Sequence, residues 1–137
     1  YQLHPRLAAD TIALGETSLC ELRLMNDCTW PWVLLVPRRH GVREIYELTE
    51  PEQQQLLRES SALGQGLMSL FQGDKLNVAA LGNMVPQLHL HHIVRHQGDP
   101  AWPSPVWGAQ PPVHYSDAQR ELVLQKLAPV IASVSRA

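Results

Sequence analysis

The spacing of hydrophobic and polar positions changes period several times along this chain, and each change marks an element. In LCELRLM (19–25) polar and apolar residues alternate, with Cys20, Leu22 and Leu24 on one side, the pattern of a half-buried strand. The apolar run WVLLVP (32–37) follows NDCTWP, so two adjacent strands are expected. The period then lengthens. Thr49 and Glu52 form a capping-box pattern, Pro51 is tolerated in a first turn, and Leu56, Leu63, Leu67 and Leu70 recur at helical spacing until QGD (72–74) supplies a stop near Gly73. KLNVAAL (75–81) and VPQLHLHHIV (85–94) return to strand-like patterning, and the turn signal Gly82–Asn83 between them predicts a hairpin. The proline and glycine density of RHQGDPAWPSPVWGAQPP (95–112) predicts a long irregular loop. Ser116 and Gln119 cap a last helix with Leu122, Leu127, Ile131 and Val134 at its apolar positions, and Pro129 is expected to bend or break it.

Two strands, a helix, two strands and a helix predict an α+β fold, an antiparallel β-sheet with a long helix and a C-terminal helix packed on it. A chain of 137 residues, 45% hydrophobic, fits one domain over residues 1–137. The net charge of -2 is spread over interspersed acids and bases. With no basic stripe, a nucleic-acid polymer is not an expected partner, whereas single nucleotides remain open. No apolar stretch approaches the roughly 20 residues that span a bilayer, and YQLHPRLAAD lacks the apolar core of a signal peptide. No membrane association and a cytoplasmic location are therefore expected. Cys20 and Cys28 lack CxxC spacing and read as reduced thiols.

Three histidines in four positions carry the chemistry. On a strand, Gln87, His89 and His91 share one side, while Leu88, Leu90 and His92 point to the other. His92 reads as a core or subunit-interface histidine. For His89 and His91 the residues alone leave three readings open. They are a solvated strand face, or two ligands of a metal that needs a third from His40, His96 or His114. Or they are a catalytic pair, in which one imidazole nitrogen attacks phosphorus while the other is held by a hydrogen-bond acceptor. Trp30 and Trp32 beside a strand read as core anchors. Trp102 and Trp107, in the loop after the histidines, suit a pocket wall, a dimer contact or plain packing.

GNMVPQLHLHHI (82–93) resembles the signature of the histidine triad (HIT) family, Gly-Gln-Ser/Thr-Val-x-His-x-His-x-His followed by two apolar residues. Gly82, Val85, His89, His91 and Ile93 match it. LLVPRRH (34–40) resembles the family's strand ending in Pro, a basic pair and His, and AWP (101–103) the Trp-Pro that follows the triad in one branch. The resemblance spans about residues 20 to 108, and is to a bacterial type with Gln in place of the first triad His. It implies a HIT-like fold, a homodimer, no metal or other cofactor, and a nucleotide or nucleotide-conjugate substrate. The activity implied is that of a nucleotide hydrolase or nucleotidyl transferase working at the α-phosphate through a nucleotidyl-histidine intermediate.

Position by position, the resemblance makes His89 the nucleophile, its Nδ1 proton taken by a backbone carbonyl of the motif, and His91 the histidine on the phosphate. Gln87 takes the first triad place, and Asn83 stands where the family usually has Gln, able to donate its amide. His40 would tune the site, Trp102 would belong to the nucleotide-binding surroundings, and Asn26 and Asp27 would hold the polar ribose contact. A turn-forming Asn-Asp is an equal reading of that pair. Gln87 and Met84, the latter in place of a hydroxyl residue, depart from the pattern. The alternatives are a nucleotide-binding HIT-like protein with little or no turnover and, from the histidine pair alone, a metal-binding β-domain.

Overall fold

The alternation of residues 20–25 is realised as strand β2 (Cys20–Met25), with Cys20, Leu22 and Leu24 buried and the positions between them partly so. Its neighbour β3 (Trp32–Pro37) is buried at every position, which requires cover on both faces of the sheet. The computed structural model describes residues 1–137. In it, five strands form one antiparallel sheet. β1 (Thr11–Glu16) pairs with β2, β2 with β3, β3 with β5 (Leu90–Arg95), and β5 with the edge strand β4 (Lys75–Ala79), giving the order β1-β2-β3-β5-β4.

The two faces are covered differently. On one lie α2 (Glu50–Phe71) and α3 (Asp117–Ser135), whose Leu56, Leu63, Leu67, Leu127, Val130 and Val134 share a core with Leu22, Leu24, Leu35 and Val94 of the sheet. This is the expected α+β architecture. On the other face a smaller cluster gathers Trp30, Trp32, Leu34 and Ile93 with Leu7 of a short first helix, α1 (Pro5–Asp10), and with Val85 and Val106 of two irregular segments. No helix is long and apolar enough to cross a membrane.

Both long helices start at their capping boxes. The Thr49 hydroxyl accepts from Glu52 N–H (3.3 Å) while Glu52 Oε1 accepts from Thr49 N–H (2.8 Å), and Ser116 and Gln119 repeat the exchange at 3.2 and 2.9 Å. The stop of α2 differs in detail from expectation. Gln72, not Gly73, takes the left-handed conformation at φ 48°. Glycine is needed at 73 for another reason, because a Cβ there would collide with Val94 and Met68.

Three expectations are corrected. α1 and β1 were not legible, because TIALGE does not alternate and the β1 ladder shifts register between Ala13 and Gly15. The strands at 75–81 and 85–94 do pair, from Lys75 with Arg95 to Ala79 with His91, but β5 starts only at Leu90. A loop over 80–89 replaces the tight turn, and Gln87 and His89 precede the strand. Pro129 does not break α3. It sits on the exposed side of the helix, where the backbone carbonyl left without an N–H partner can be hydrated.

The proline-rich loop after β5 is organised by one buried cation. The Arg95 guanidinium forks onto Asp99 (Nε to Oδ2 2.8 Å, Nη2 to Oδ1 3.0 Å) and donates to the Ser104 carbonyl (2.8 Å) and to Asn77 Oδ1 (2.9 Å), with the Trp102 ring 5.8 Å away. Arg95 holds the Asp99 carboxyl well below the usual carboxylate range.

A second buried charge ties the β1–β2 turn to α2. Glu59 accepts from the hydroxyls of Thr17 and Ser18, from Leu19 N–H (3.2 Å) and from the Gln55 amide (2.7 Å). Glu59→Ala would strand these donors, and urea unfolding is expected to show a loss of about 2–4 kcal/mol. A loss under about 0.5 kcal/mol would show that the turn does not depend on this carboxylate.

Candidate active site

Loop 80–89, α1 and the ends of β2, β3 and β5 enclose a cavity of about 370 Å³ on the face away from the long helices. Leu7, Met25, Leu81, Val85 and the indoles of Trp32 and Trp107 make its walls largely apolar. The polar lining comes from Arg6, Asp10, Asn83, His89 and His91.

The two histidines are set in opposite tautomers by their neighbours. His89 Nδ1 lies 2.7 Å from the Gln87 carbonyl oxygen. A carbonyl only accepts, so Nδ1 carries a proton, and in the neutral ring it is Nε2 that keeps the lone pair. The Trp32 indole N–H donates to His91 Nδ1 at 2.9 Å. An indole N–H only donates, so here Nδ1 is bare and Nε2 holds the proton. The rings meet edge to face with centroids 4.9 Å apart, and Trp107 closes on His91 at 5.1 Å. Neither Nε2 has a protein partner. Burial above all, and then the adjoining His89 and His92, push His91 down to about 3, so its imidazole is neutral at physiological pH.

Comparison with known proteins agrees with this geometry. Residues 6–98 match the family model of the HIT domain. The chain belongs to the histidine triad family. Members of that family are nucleotide-binding hydrolases and transferases. Among solved structures, it is similar to a histidine triad protein from Marinobacter aquaeolei VT8, with 67% identity over 98% of each chain and a TM-score of 0.97. A histidine triad protein from Bradyrhizobium japonicum is 41% identical over 98% of each chain, with a TM-score of 0.92. One from Sinorhizobium meliloti 1021 is 38% identical over 97% of this chain and 96% of its own, with a TM-score of 0.91. No curated protein matches.

The HIT fold brings together only part of the expected residue set. His89, His91 and Asn83 line the cavity, as does Met84. The Gln87 side chain is not in the lining. It clips the N-terminal segment instead, its Oε1 accepting from His4 N–H (2.8 Å) and its Nε2 donating to the Gln2 carbonyl (2.9 Å). Asn26 and Asp27 are also outside. Asn26 Oδ1 accepts from Tyr115 N–H (3.0 Å), and Asp27 Oδ1 from Thr29 N–H (3.1 Å) and Val113 N–H (3.3 Å), so both tether the approach to α3. The bond from Thr29 N–H to Asp27 is a local turn contact, as the turn-forming reading of the pair expects. His40 is exposed and apart, and Trp102 belongs with Arg95. His92 is wholly buried on the α2 side, its Nδ1–H directed at the Leu90 carbonyl (3.2 Å) and its Nε2 accepting from the Ser60 hydroxyl (2.7 Å). His96 is bonded to the Phe71 carbonyl, and no cluster of three His, Cys, Asp or Glu has a ligand-like arrangement. The metal reading therefore lacks a ligand set.

Trp107 lines the cavity, the pocket-wall alternative among its readings, whereas Trp32 and the α1 residues Arg6, Leu7 and Asp10 were not expected there. A signal existed for Trp32. Trp32, Leu34 and Val36 alternate on one face, and the pairing of Leu34 with His91 makes that the histidine face.

Burial also pushes His92 down to about 4. Both histidines are thus neutral when folded yet protonate near the ordinary histidine value when unfolded, so the unfolded state binds more protons below about pH 6.5. Folding stability should be full above that pH and fall as pH drops toward 4, approaching about 1 kcal/mol per pH unit for each histidine. Denaturant midpoints at pH 7, 6 and 5 check this, and a flat profile would mean that neither imidazole is held neutral.

Proposed function

We propose that this single-domain HIT protein is a nucleotide hydrolase or nucleotidyl transferase acting at the α-phosphate of a nucleotide conjugate, with His89 as nucleophile. The observation that carries this reading is the 2.7 Å bond from His89 Nδ1–H to the Gln87 carbonyl. It fixes the tautomer whose Nε2 lone pair is free, and it steadies the positive charge the ring acquires on forming a bond to phosphorus. Because the peptide oxygen does this, the glutamine side chain at 87 is compatible with activity. In the first step Nε2 bonds to phosphorus as the bond to the leaving group breaks with its electron pair. In the second, water or another acceptor attacks phosphorus, the pair of the P–N bond returns to Nε2, and the acceptor's proton passes to solvent. In this reading His91 Nε2–H and the Asn83 amide, both in the cavity lining, donate to phosphoryl oxygens. The apolar walls suit a nucleoside, and the volume is at the small end of ligand pockets, about 300–1,000 Å³. Met84, which offers no hydroxyl to the phosphate, favours the second reading, a nucleotide-binding protein with little turnover.

The two readings separate on adenosine 5′-phosphate conjugates with carboxylate, phosphate and amine leaving groups. Turnover of any of them, abolished by His89→Ala while AMP affinity by calorimetry stays within about threefold, is expected. Binding without turnover in the wild type would favour the second reading, and an active His89→Ala protein would remove His89 as nucleophile.

The proposal includes a homodimer and a cytoplasmic protein that takes single nucleotides, not polymers. Support for the dimer comes from β4, a free sheet edge whose exposed Val78 lines a groove of about 530 Å³ together with the exposed Ile45 and Leu57. Sedimentation at micromolar concentration is expected to give a dimer. Val78→Lys should shift it toward monomer, and a wild-type monomer would contradict the assignment.

A further inference from the structure

We infer that Trp32 is a positioning residue that makes His91 a fixed hydrogen-bond donor and not a proton donor, so that the site favours nucleotide conjugates whose leaving group departs as a stable anion. The inference rests on the nucleotidyl-histidine reading above and specifies which leaving groups that site can release.

His91 Nδ1 controls whether this ring can release a proton. An imidazole that gives up its Nε2 proton without becoming an anion must gain a proton at Nδ1. That lone pair is occupied by the Trp32 indole N–H at 2.9 Å, and an indole neither accepts a proton there nor relays one. The Trp32 ring cannot readily swing away, because it is buried with Trp30 edge to face at 6.4 Å and Trp107 edge to face at 5.9 Å. His91 itself is buried between them and His89.

No other group in the cavity replaces the missing acid. His89 Nδ1–H is directed away from the substrate space to the Gln87 carbonyl, and its Nε2 is the attacking atom. Arg6 and Asp10 pair with each other at 3.6 Å across one turn of α1, and an arginine stays protonated throughout.

The consequence follows from proton balance. When Nε2 of His89 bonds to phosphorus, a carboxylate or phosphate group leaves with the bonding pair as an anion and needs no proton. An alkylamine would leave as a strongly basic amide ion unless its nitrogen is protonated as the bond breaks, and that proton must then come from solvent. His91 Nε2–H can stabilise charge on the phosphoryl oxygens in either case, which is the role of a neutral donor. The selectivity is therefore set by the leaving group's basicity, not by its size.

The test pairs a direct reading of the tautomer with a kinetic series. In protein labelled with nitrogen-15 histidine, His91 is expected to show a bare Nδ1 and a protonated Nε2, and Trp32→Phe, which keeps an aromatic ring but loses the N–H, should give a mixture. Across adenosine phosphoramidates, wild-type kcat/KM is expected to fall by about 100-fold or more from an arylamine to an alkylamine leaving group, the steep Brønsted dependence of a site without a general acid. A fall of less than about tenfold in Trp32→Phe, with KM changed by no more than a few-fold, would support the lock. His91→Gln, which retains a neutral N–H donor, should keep the steep series. A wild-type His91 protonated at Nδ1, or an alkylamine conjugate cleaved within tenfold of the arylamine one, would overturn the inference, and either reading is available from the wild type alone. If no conjugate of any class were turned over, the nucleotidyl-histidine reading would fail, while the tautomer would still decide whether Trp32 holds His91.

Discussion

One hydrogen bond, from His89 Nδ1 to the Gln87 carbonyl, constrains how the rest of this molecule is built. Inside a sheet ladder most carbonyls are engaged by the neighbouring strand. The last β3–β5 pair is Leu35 with Leu90, so the peptide between residues 87 and 88 is released from the ladder just before the strand begins. The segment is nevertheless fixed. Leu88 is buried, its N–H donates to the Val42 carbonyl at 3.0 Å, and the Gln87 side chain is clipped to the N-terminal backbone. A free carbonyl on an immobile segment is what a preorganised nucleophile requires.

The site also avoids buried charge. Two imidazoles 4.9 Å apart in an apolar setting would repel if both were protonated. Each Nδ1 is met by a group with only one hydrogen-bonding role, a carbonyl for His89 and an indole N–H for His91, so the neutral rings take opposite tautomers. The buried side chains of Arg95, Asp99 and Glu59 lie elsewhere and are held by several hydrogen bonds each. Arg95 and Asp99 order the long loop that carries Trp107 to the cavity, and Glu59 secures the opposite end of the sheet. The fold thus separates the charges that hold it together from the histidine pair in its cavity.

What the sequence made legible follows from the same physics. Capping boxes and apolar spacing are local, so α2 and α3 were placed at their starting residues, and alternation located β2. The histidine signature identified the side of the strand that matters, since His89 and His91 do share a cavity and His92 is turned to the helices. Non-local bonds were not legible. Nothing in the local pattern says that the Gln87 amide is spent on residues 2 and 4, that Asn26 and Asp27 are spent on residues 113 and 115, or that an indole 59 positions away selects the tautomer of His91. α1 was missed because six residues show too little periodicity to register, yet it supplies one wall of the cavity.

The proposed function turns on one bond, between phosphorus and the Nε2 of His89 opposite the carbonyl-bound Nδ1. Rapid quenching during turnover of an adenosine 5′-phosphate conjugate, followed by peptide mass spectrometry and phosphorus NMR of the modified protein, locates that bond. The account predicts one nucleotidyl group on His89, attached at Nε2, labile in acid and stable in base. A nucleotide on Nδ1, on another residue, or turnover that leaves no covalent nucleotide at any time would contradict it.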